Sequence, residues 1–383
     1  MVEWKKIEDL GPYFGGLTGK TKEDFVDGNA KFITYMNVFA NASLDITSTG
    51  VVRISDGEKQ NKIQKGDILF TGSSETPDEA GMSCVVTEEL NEDYYMNSFC
   101  FGIRLNNPEQ YCLNYLKHIL RSSDVRKSIS KSASGVTRFN ISKARFGKIQ
   151  IPIPSLEEQT RIVGILDTFT SAIDNLKEQI AQRRKQYEYY RDQLLDLEGK
   201  EGVVRIVLKD VCEVINGRAY SQPELLSEGK YRVLRVGNFF SNDSWYYSDL
   251  ELEEKYYCEK GDLLYAWSAS FGPHIWDEEK VIYHYHIWKM NCGERLQKKF
   301  MYYWLQSEDM KKQAFSNLHG ATMAHLTKAL MESLLVPVPS LSEQQRIVSI
   351  LDTFEASITN LEAQLKERQK QYEYYRNKLL TFE

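Results

Sequence analysis

The residues of this sequence best suited to chemistry are basic side chains concentrated in one stretch of the chain. Residues 1–103 contain 9 Lys and Arg against 17 Asp and Glu, whereas residues 104–150 contain 10 against 2. Lys and Arg interleaved with Ser and Asn typically contact DNA phosphates. We therefore predict DNA contacts by Arg121, Arg126, Lys127, Lys131, Arg138 and Lys143. For any single one of these residues, a solvated helix face is the alternative interpretation.

A weaker basic cluster lies in the second half of the chain, around Lys298, Lys299, Lys311 and Lys312. Base readout in the major groove depends on hydrogen bonds from side chains, while phosphate contacts set the register. The predicted DNA-contacting residues of this half are Arg218, Tyr220, Lys311, Lys312 and His319.

Motifs for catalysis and metal binding are incomplete. Thr18-Gly19-Lys20-Thr21 resembles the end of a phosphate-binding loop, but the first glycine of that motif would fall on Phe14. His284 and His286 would share one strand face without a carboxylate or cysteine at metal-ligand spacing. The sequence also has no Asn/Asp-Pro-Pro-Tyr/Phe motif of an amino-methyltransferase. We predict neither an active site nor a metal site in this chain.

The elements that must position these residues are revealed by an internal repeat. Residues 151–198 and 336–383 align without a gap, with about 29 identities over about 48 columns. Similarity continues upstream, where Lys65-Gly66-Asp67 matches Lys260-Gly261-Asp262, and Gly135 matches Gly320. The chain is therefore two half-molecules, each a divergent module followed by a nearly identical segment, which predicts a pseudo-two-fold arrangement.

Each nearly identical segment has the heptad periodicity of a long helix. Apolar residues recur in four-three spacing from Ile162 and from Ile347, and Arg183 and Arg368 interrupt the two seams at the same position. Ser155 and Ser340 are predicted N-caps within capping boxes. About 40 residues give a rod of about 60 Å. The regular seam favours antiparallel pairing of the two helices as a coiled coil; packing of each helix on its own module is the alternative.

The modules themselves read as α+β. Strands are predicted at residues 31–38 and 231–236 and after each Lys-Gly-Asp, with a further alternating run at residues 284–288. Helical periodicity follows at residues 111–132 and 296–318. The predicted organisation is a first module at 1–150, a long helix at 151–198, a second module at 199–335 and a second long helix at 336–383.

Composition limits the class of protein. With 42% apolar and 12% aromatic residues the chain is able to fill folded cores, and its 383 residues suit two or three domains. The net charge of −6 argues against a surface that is basic throughout. Six scattered cysteines without a C-x-x-C pair suggest reduced thiols. No signal sequence or membrane span is evident, and we expect a cytoplasmic protein.

The order of module, helix, module, helix resembles the specificity subunits of type I restriction-modification systems. The most specific matching residues lead into the two helices: Pro154-Ser155-Leu156 with Glu158-Gln159 and Ile162, and Pro339-Ser340-Leu341 with Glu343-Gln344 and Ile347. The resemblance implies two target-recognition modules, each reading half of a split DNA sequence, on helical spacers that fix the unread gap.

The resemblance also implies that chemistry belongs to other subunits. Two modification (methyltransferase) subunits would dock on the spacers with S-adenosylmethionine, and restriction subunits would add translocation and cleavage driven by ATP with Mg²⁺. Surface left over on the helices is the predicted docking site, represented by Tyr187, Tyr190, Leu194, Tyr372, Tyr375 and Leu379. Two alternatives remain: a coiled-coil scaffold without DNA readout, and a nuclease or methyltransferase active alone, which would need a catalytic motif.

Overall fold

A computed structural model describes residues 2–240, 242–268, 270–315 and 326–382. The chain forms two compact units, one of Met1–Lys177 with Gln364–Glu383 and one of Glu178–Ala363. Each unit contains one module and part of each long helix. No helix in the described ranges is long and apolar enough to cross a membrane. All six cysteines are free thiols.

The first module is built on small β-sheets. Its strands are β1 (Glu3–Lys6), β2 (Tyr13–Gly15), β3 (Ala30–Ile33), β4 (Gly50–Val52), β5 (Asp67–Thr71), β6 (Ser73–Ser74), β7 (Ser83–Val85), β8 (Tyr94–Met96), β9 (Cys100–Arg104), β10 (Ala133–Ser134), β11 (Phe139–Ile141) and β12 (Gln150–Ile153). The main sheet has the antiparallel order β2-β9-β5-β7, and a second has the order β4-β3-β8 with β3 and β8 parallel. A third small sheet has the order β10-β11-β6, and β1 pairs with β12.

Short helices cover the main sheet of the first module. They are α1 (Tyr35–Ala40), α2 (Leu113–Ile119), α3 (Ser123–Ser132) and α4 (Lys143–Gly147). The core between sheet and helices contains Phe70, Tyr115 and Phe146, all fully buried. The predicted helix at residues 111–132 is therefore two helices, which supply one wall of this core.

The predicted strand at residues 31–38 is wrong in its second half. β3 ends at Ile33, and α1 begins at Tyr35. The cause is local, since the Thr34 hydroxyl accepts a hydrogen bond from the backbone N–H of Asn37 at 3.2 Å and so caps the helix.

The second module repeats this plan. Its elements are β13 (Val204–Val207), β14 (Cys212–Asn216), β15 (Tyr231–Leu234), β16 (Tyr246–Ser248), β17 (Tyr257–Cys258), β18 (Leu263–Ser268), β19 (Ser270–Ile275), β20 (Val281–Tyr283), β21 (Ile287–Cys292) and β22 (Leu335–Val338), with α6 (Lys298–Trp304), α7 (Glu308–Phe315) and α8 (Lys328–Ser333). The sheet order β14-β21-β18-β19 corresponds to β2-β9-β5-β7, and β13 pairs with β22 as β1 does with β12. The predicted run at 284–288 is a turn followed by β21. Gly320 of the repeat lies outside the described residues.

The repeated Lys-Gly-Asp triplets form matching turns before the central strands. Gly66 and Gly261 have φ of 88° and 90°, a left-handed conformation that glycine adopts without strain. In each turn the Asp carboxylate accepts a backbone N–H three residues earlier, from Gln64 to Asp67 and from Glu259 to Asp262, both at 2.9 Å. The Lys-Gly-Asp triplets therefore have a structural role, which is to form the turns before the central strands.

The two repeated segments form the long helices α5 (Leu156–Leu195) and α9 (Leu341–Leu380), each of 40 residues. In the first unit, Phe169 of α5 stacks on Tyr375 of α9 with ring centroids 5.1 Å apart. In the second unit, Tyr190 of α5 stacks on Phe354 of α9 at 5.4 Å. Early positions of one helix thus meet late positions of the other, and the prediction of antiparallel pairing is confirmed. The α+β fold class with an internal repeat is confirmed as well.

The apolar seams of the two long helices pack on the modules as well as on each other. Ile162 and Leu166 of α5 are fully buried in the first module's core, and Ile347 and Leu351 of α9 are fully buried in the second module's core. Pairing of the two helices with each other and packing of each helix on its own module therefore both occur, each over part of the helix.

The predicted N-caps are present at both helix starts. Ser155 accepts from the Glu158 N–H at 3.4 Å, and Ser340 accepts from the Glu343 N–H at 3.3 Å. The Glu158 carboxylate binds Arg161 on the following turn, at 2.6 and 2.7 Å, rather than completing the expected capping box.

Candidate nucleic-acid interface

Two of the predicted DNA-contacting residues, Arg121 and Arg126, are part of the internal structure of the first module. Arg121 donates to backbone carbonyls at 2.6–3.1 Å, those of Val38, Phe39, Asn41 and Ser83. Arg126 donates at 2.6–2.7 Å to the carbonyls of Asp78, Ala80 and Gly81. Burial lowers the pKa of both guanidinium groups to about 10. Since loops of the same module occupy their donors, the geometry does not favour Arg121 and Arg126 as phosphate contacts, and their DNA contact stays a prediction.

The other basic residues of this cluster face solvent. Lys127 is paired only loosely, with its Nζ 3.9 Å from Asp124, and both side chains are largely exposed. Lys131 is exposed at the end of α3. Lys143 is exposed at the start of α4, with its Nζ 5.4 Å from the centre of the Phe101 ring. These three ammonium groups are available to phosphates.

Arg138 lies on a projecting hairpin formed by β10 and β11. The hairpin is held to the module because Phe139 and Asn140 pair with Ser74 and Ser73 of β6. Its loop exposes Val136 by 91%. The Arg138 guanidinium lies 5.6 Å from the ring of Phe99, which is 58% exposed. The hairpin therefore combines a cation with exposed apolar groups, a mixture that suits a DNA groove.

Arg218 and Tyr220 of the second module form a compact cluster. The Arg218 guanidinium lies 5.1 Å from the Tyr220 ring and donates to Glu224 at 2.6 Å. Arg218 and Ser221 together lower the pKa of Glu224 to about 2. Arg218 Nη1 and the Tyr220 hydroxyl are buried without a hydrogen-bond partner among the described residues.

The remaining basic predictions of the second module receive less support. Lys311 pairs with Glu308 at 2.9 Å. Lys312 lines a cleft whose other side chains include several acids: Asp192, Asp196, Glu198, Glu308 and Asp309. Negative charge of this density opposes phosphate binding. His319 lies outside the described residues.

An aromatic cluster surrounds the turn of His284, Tyr285 and His286, where the alternating sequence pattern predicts a strand. The two imidazole rings are 4.9 Å apart, and Trp267 packs on His286 at 5.0 Å. Trp267 Nε1 donates to the Tyr285 carbonyl at 2.9 Å. Burial, with His286 and Arg235 nearby, lowers the pKa of His284 to about 4. In the described part of the chain, no group of three metal-binding side chains is found.

The predicted partner-binding tyrosines divide into two kinds. Tyr187 and Tyr372 are turned inward: the Tyr187 hydroxyl donates to Glu355 at 3.4 Å, and the Tyr372 hydroxyl lies 2.9 Å from His118 Nδ1. Burial raises the pKa of both phenols. The Tyr187 hydroxyl thus joins α5 to α9, and the Tyr372 hydroxyl joins α9 to α2 of the first module, so both hydroxyls are engaged within the chain.

Tyr190 and Tyr375 are exposed by 44% and 40% on the helix pair. The groove of the second unit is lined by Arg183, Tyr189, Tyr190, Leu194, Ile350 and Phe354. We call this the tyrosine groove. Its repeat-related residues in the first unit are Arg368, Tyr374, Tyr375, Leu379, Ile165 and Phe169. The rings are arranged alike, with Tyr189 to Tyr190 and Tyr374 to Tyr375 both at 5.3 Å.

The two seam arginines complete the tyrosine grooves. Arg183 lies 5.9 Å from the ring of Phe354, and Arg368 lies 5.9 Å from the ring of Phe169. The polar interruption of each heptad seam is therefore a cation placed over an aromatic ring of the opposite helix.

Comparison with known proteins identifies relatives of both halves. A family model described as the type I restriction modification DNA specificity domain matches residues 1–183 and again residues 200–370. A putative type I restriction enzyme specificity subunit from Haemophilus influenzae is 31% identical over 297 residues, covering 73% of this chain and 74% of that protein. The EcoR124I/EcoR124II specificity subunit from Escherichia coli is 31% identical over 260 residues, covering 61% of this chain and 63% of that protein.

Solved structures show the same fold. The S subunit of a type I restriction-modification system from M. genitalium matches with a TM-score of 0.54 at 17% identity, covering 100% of this chain and 97% of that one. A chain from a structure of a type I restriction-modification system matches with a TM-score of 0.63 at 17% identity, covering 99% and 97%.

Proposed function

This chain belongs to the DNA specificity family of type I restriction-modification systems, and we propose that it selects the two-part DNA sequence on which such a system acts. One observation carries the proposal: the family model matches twice, and the two matches fall on modules with the same sheet order but different exposed side chains. A shared frame with different surfaces suits two readers of different half-sites. The proposed recognition domains are residues 1–150 and 199–335, with spacers at 151–198 and 336–383.

Phosphate contacts in the first half-site are assigned to the exposed cations Lys127, Lys131, Arg138 and Lys143. Lys127 and Lys131 lie on α3, Arg138 lies on the β10–β11 hairpin, and Lys143 lies on α4. A chain with net charge −6 has to concentrate its affinity for DNA in such local clusters. The acidic first 103 residues of the same module would help to orient it on the duplex.

The tyrosine grooves are the proposed docking sites for modification subunits. The tyrosine groove of the second unit, like the repeat-related residues of the first, presents tyrosine rings beside an arginine, and Tyr and Arg are residue types enriched at interface hot spots. Because the repeat-related residues make matching ring contacts in both units, the proposal places one methyltransferase subunit on each unit, two in all. Restriction subunits would join this assembly.

S-adenosylmethionine, ATP and Mg²⁺ are assigned to those partner subunits, and this chain is proposed to act in the cytoplasm without catalysing a reaction itself. The support is the lack of a complete catalytic motif in the sequence. Turnover of DNA or S-adenosylmethionine by the purified chain alone would contradict this assignment.

The deciding experiment is to purify the chain with its candidate methyltransferase and map methylated positions across a genome. We expect a gapped motif of two specific halves. A contiguous motif, or methylation that does not change when this chain is omitted, would overturn the proposal.

A further inference from the structure

The two modules carry one short turn at the same place in their common frame. In the first module, residues 97–99 connect β8 to β9, and in the second, residues 284–286 connect β20 to β21. β8 pairs in parallel with β3, and β20 pairs in parallel with β15. The strands on both sides of the turn therefore correspond.

Backbone hydrogen bonds fix both turns in the same way. Gly72 N–H donates to the Phe99 carbonyl at 2.8 Å, and Trp267 N–H donates to the His286 carbonyl at 3.1 Å. At the start of the turns, Asn97 N–H donates to Ile33 at 3.0 Å, and His284 N–H donates to Leu234 at 2.9 Å. Side chains at corresponding turn positions are thus presented by equivalent backbones.

The side chains themselves differ completely. The first turn is Asn97-Ser98-Phe99, with Phe99 exposed beside Arg138 of the hairpin. The second is His284-Tyr285-His286, where Tyr285 is 39% exposed. The frame is kept while the presented chemistry changes, which is the requirement for two readers of unlike sequences.

Groups around the second turn add hydrogen-bonding capacity. Tyr285 N–H donates to the Arg218 carbonyl at 3.0 Å, which ties the turn to the Arg218–Tyr220 cluster. The Tyr220 ring stacks on His284 at 6.4 Å. With Arg218 Nη1 and the Tyr220 hydroxyl buried and unpaired among the described residues, the cluster holds two unused polar groups next to the turn. A low pKa keeps His284 neutral at pH 7, so its imidazole is able to accept as well as donate.

We infer that the turns at residues 97–99 and 284–286 are specificity-determining positions, which present Phe99 and Tyr285 to base edges of the first and second half-sites. This inference rests on the proposed function and deepens it. Phe99 offers an apolar contact to a thymine methyl group, a recognised form of direct readout. The Tyr285 phenol is both a donor and an acceptor and so offers a hydrogen bond to a base edge.

The test uses the complex of this chain with its methyltransferase subunits and duplexes carrying the wild-type motif or each single-base substitution of it. In Tyr285→Ala, discrimination at one or more base pairs of the second half-site should fall by about 5- to 150-fold, the usual worth of one base contact. The first half-site should be read unchanged. Phe99→Ala should give the reciprocal result, so each variant is the matched control of the other.

Two outcomes would overturn the inference while leaving the proposed function standing: unchanged base preferences in both variants, or an equal loss of affinity for all duplexes. A wild-type complex without a two-part motif would instead refute the proposed function. The triple variant N97H/S98Y/F99H gives a second readout, because it should change the first half-site only. Melting temperatures of all variants, measured alongside, show whether a loss of readout reflects unfolding.

Discussion

The glutamine that follows Ser-Leu-x-Glu in each repeat should hold the long helix to its module. Gln344 is fully buried; its Oε1 accepts from the Gln297 N–H at 2.8 Å, and its Nε2 donates to the Arg295 and Pro339 carbonyls, both at 2.9 Å. Gln159 is buried likewise, accepting from the Cys112 N–H at 2.9 Å. A single side chain thus joins the start of the helix to the chain segment that leads into α6 or α2.

Gln344→Met keeps the length of the side chain and removes all three hydrogen bonds. A buried polar group without a partner costs about 1–3 kcal/mol, and the lower end gives about 3 kcal/mol for the three groups. For a unit of this size the melting temperature should fall by roughly 6–12 °C. Gln159→Met should cost about 1 kcal/mol less, because the Gln159 side chain makes one fewer of these bonds, its Nε2 donating to Pro154.

Hydrogen exchange measured by mass spectrometry gives the local readout. The Gln297 amide loses its acceptor in Gln344→Met, and its exchange should accelerate by about 100-fold if the segment opens locally at a cost reduced by about 3 kcal/mol. Gln345→Met, at an exposed neighbouring position, is the matched control. If Gln344→Met exchanges and melts like Gln345→Met, the anchoring role is refuted.

Three further predictions concern the proposed function. Removing one heptad from each long helix shortens the helix by about 10 Å. The unread gap between the half-sites should therefore shrink by about three base pairs at ~3.4 Å each, while both half-sites stay the same. An unchanged gap in the methylation map would refute the spacer role. Tyr190→Ala should weaken binding of one methyltransferase subunit by about 30-fold or more, as expected for a hot-spot aromatic residue, and Tyr375→Ala should weaken binding of the other subunit. Native mass spectrometry should show loss of one methyltransferase copy in each single variant and of both copies in the double variant. Full assembly of the double variant would contradict the proposed docking site. Lys127→Gln and Lys131→Gln should each lower the slope of log affinity against log salt by about 0.9 without altering base preference, measured by fluorescence anisotropy at several salt concentrations; a change in preference with an unchanged slope would argue against phosphate contact.

The helical part of the molecule was predictable because its signal is local and occurs twice. Heptad spacing predicted both long helices and their antiparallel pairing, and the N-caps Ser155 and Ser340 were read from residues within one turn of the helix start. Even the seam arginines Arg183 and Arg368 were visible as a shared exception. Their position over phenylalanine rings was not, because it depends on the register between the two helices.

The proposed DNA-facing surface was only partly predictable, since charge composition does not show which groups a side chain contacts after folding. Arg121 and Lys131 belong to one basic stretch, yet the carbonyls bound by Arg121 lie about 40 to 80 residues away in sequence. No local pattern encodes that contact. Similarly, the alternating run at His284 suggested a strand, and only pairing with distant strands placed a turn there.

The two repeats have a tyrosine at the same helix position, Tyr187 and Tyr372, but its hydroxyl has a different hydrogen-bond partner in each unit. In the first unit the neutral His118 satisfies two groups, its Nε2 facing Asp167 and its Nδ1 facing the Tyr372 hydroxyl, both at 2.9 Å. Burial lowers the pKa of His118, consistent with a neutral ring that donates to the carboxylate and accepts from the phenol. In the second unit the matching Tyr187 donates to the Glu355 carboxylate instead. A protonated imidazole has no acceptor for a phenol, so the Tyr372 contact depends on a neutral His118. The two sites are therefore not interchangeable one residue at a time, although the helices that carry them are nearly identical.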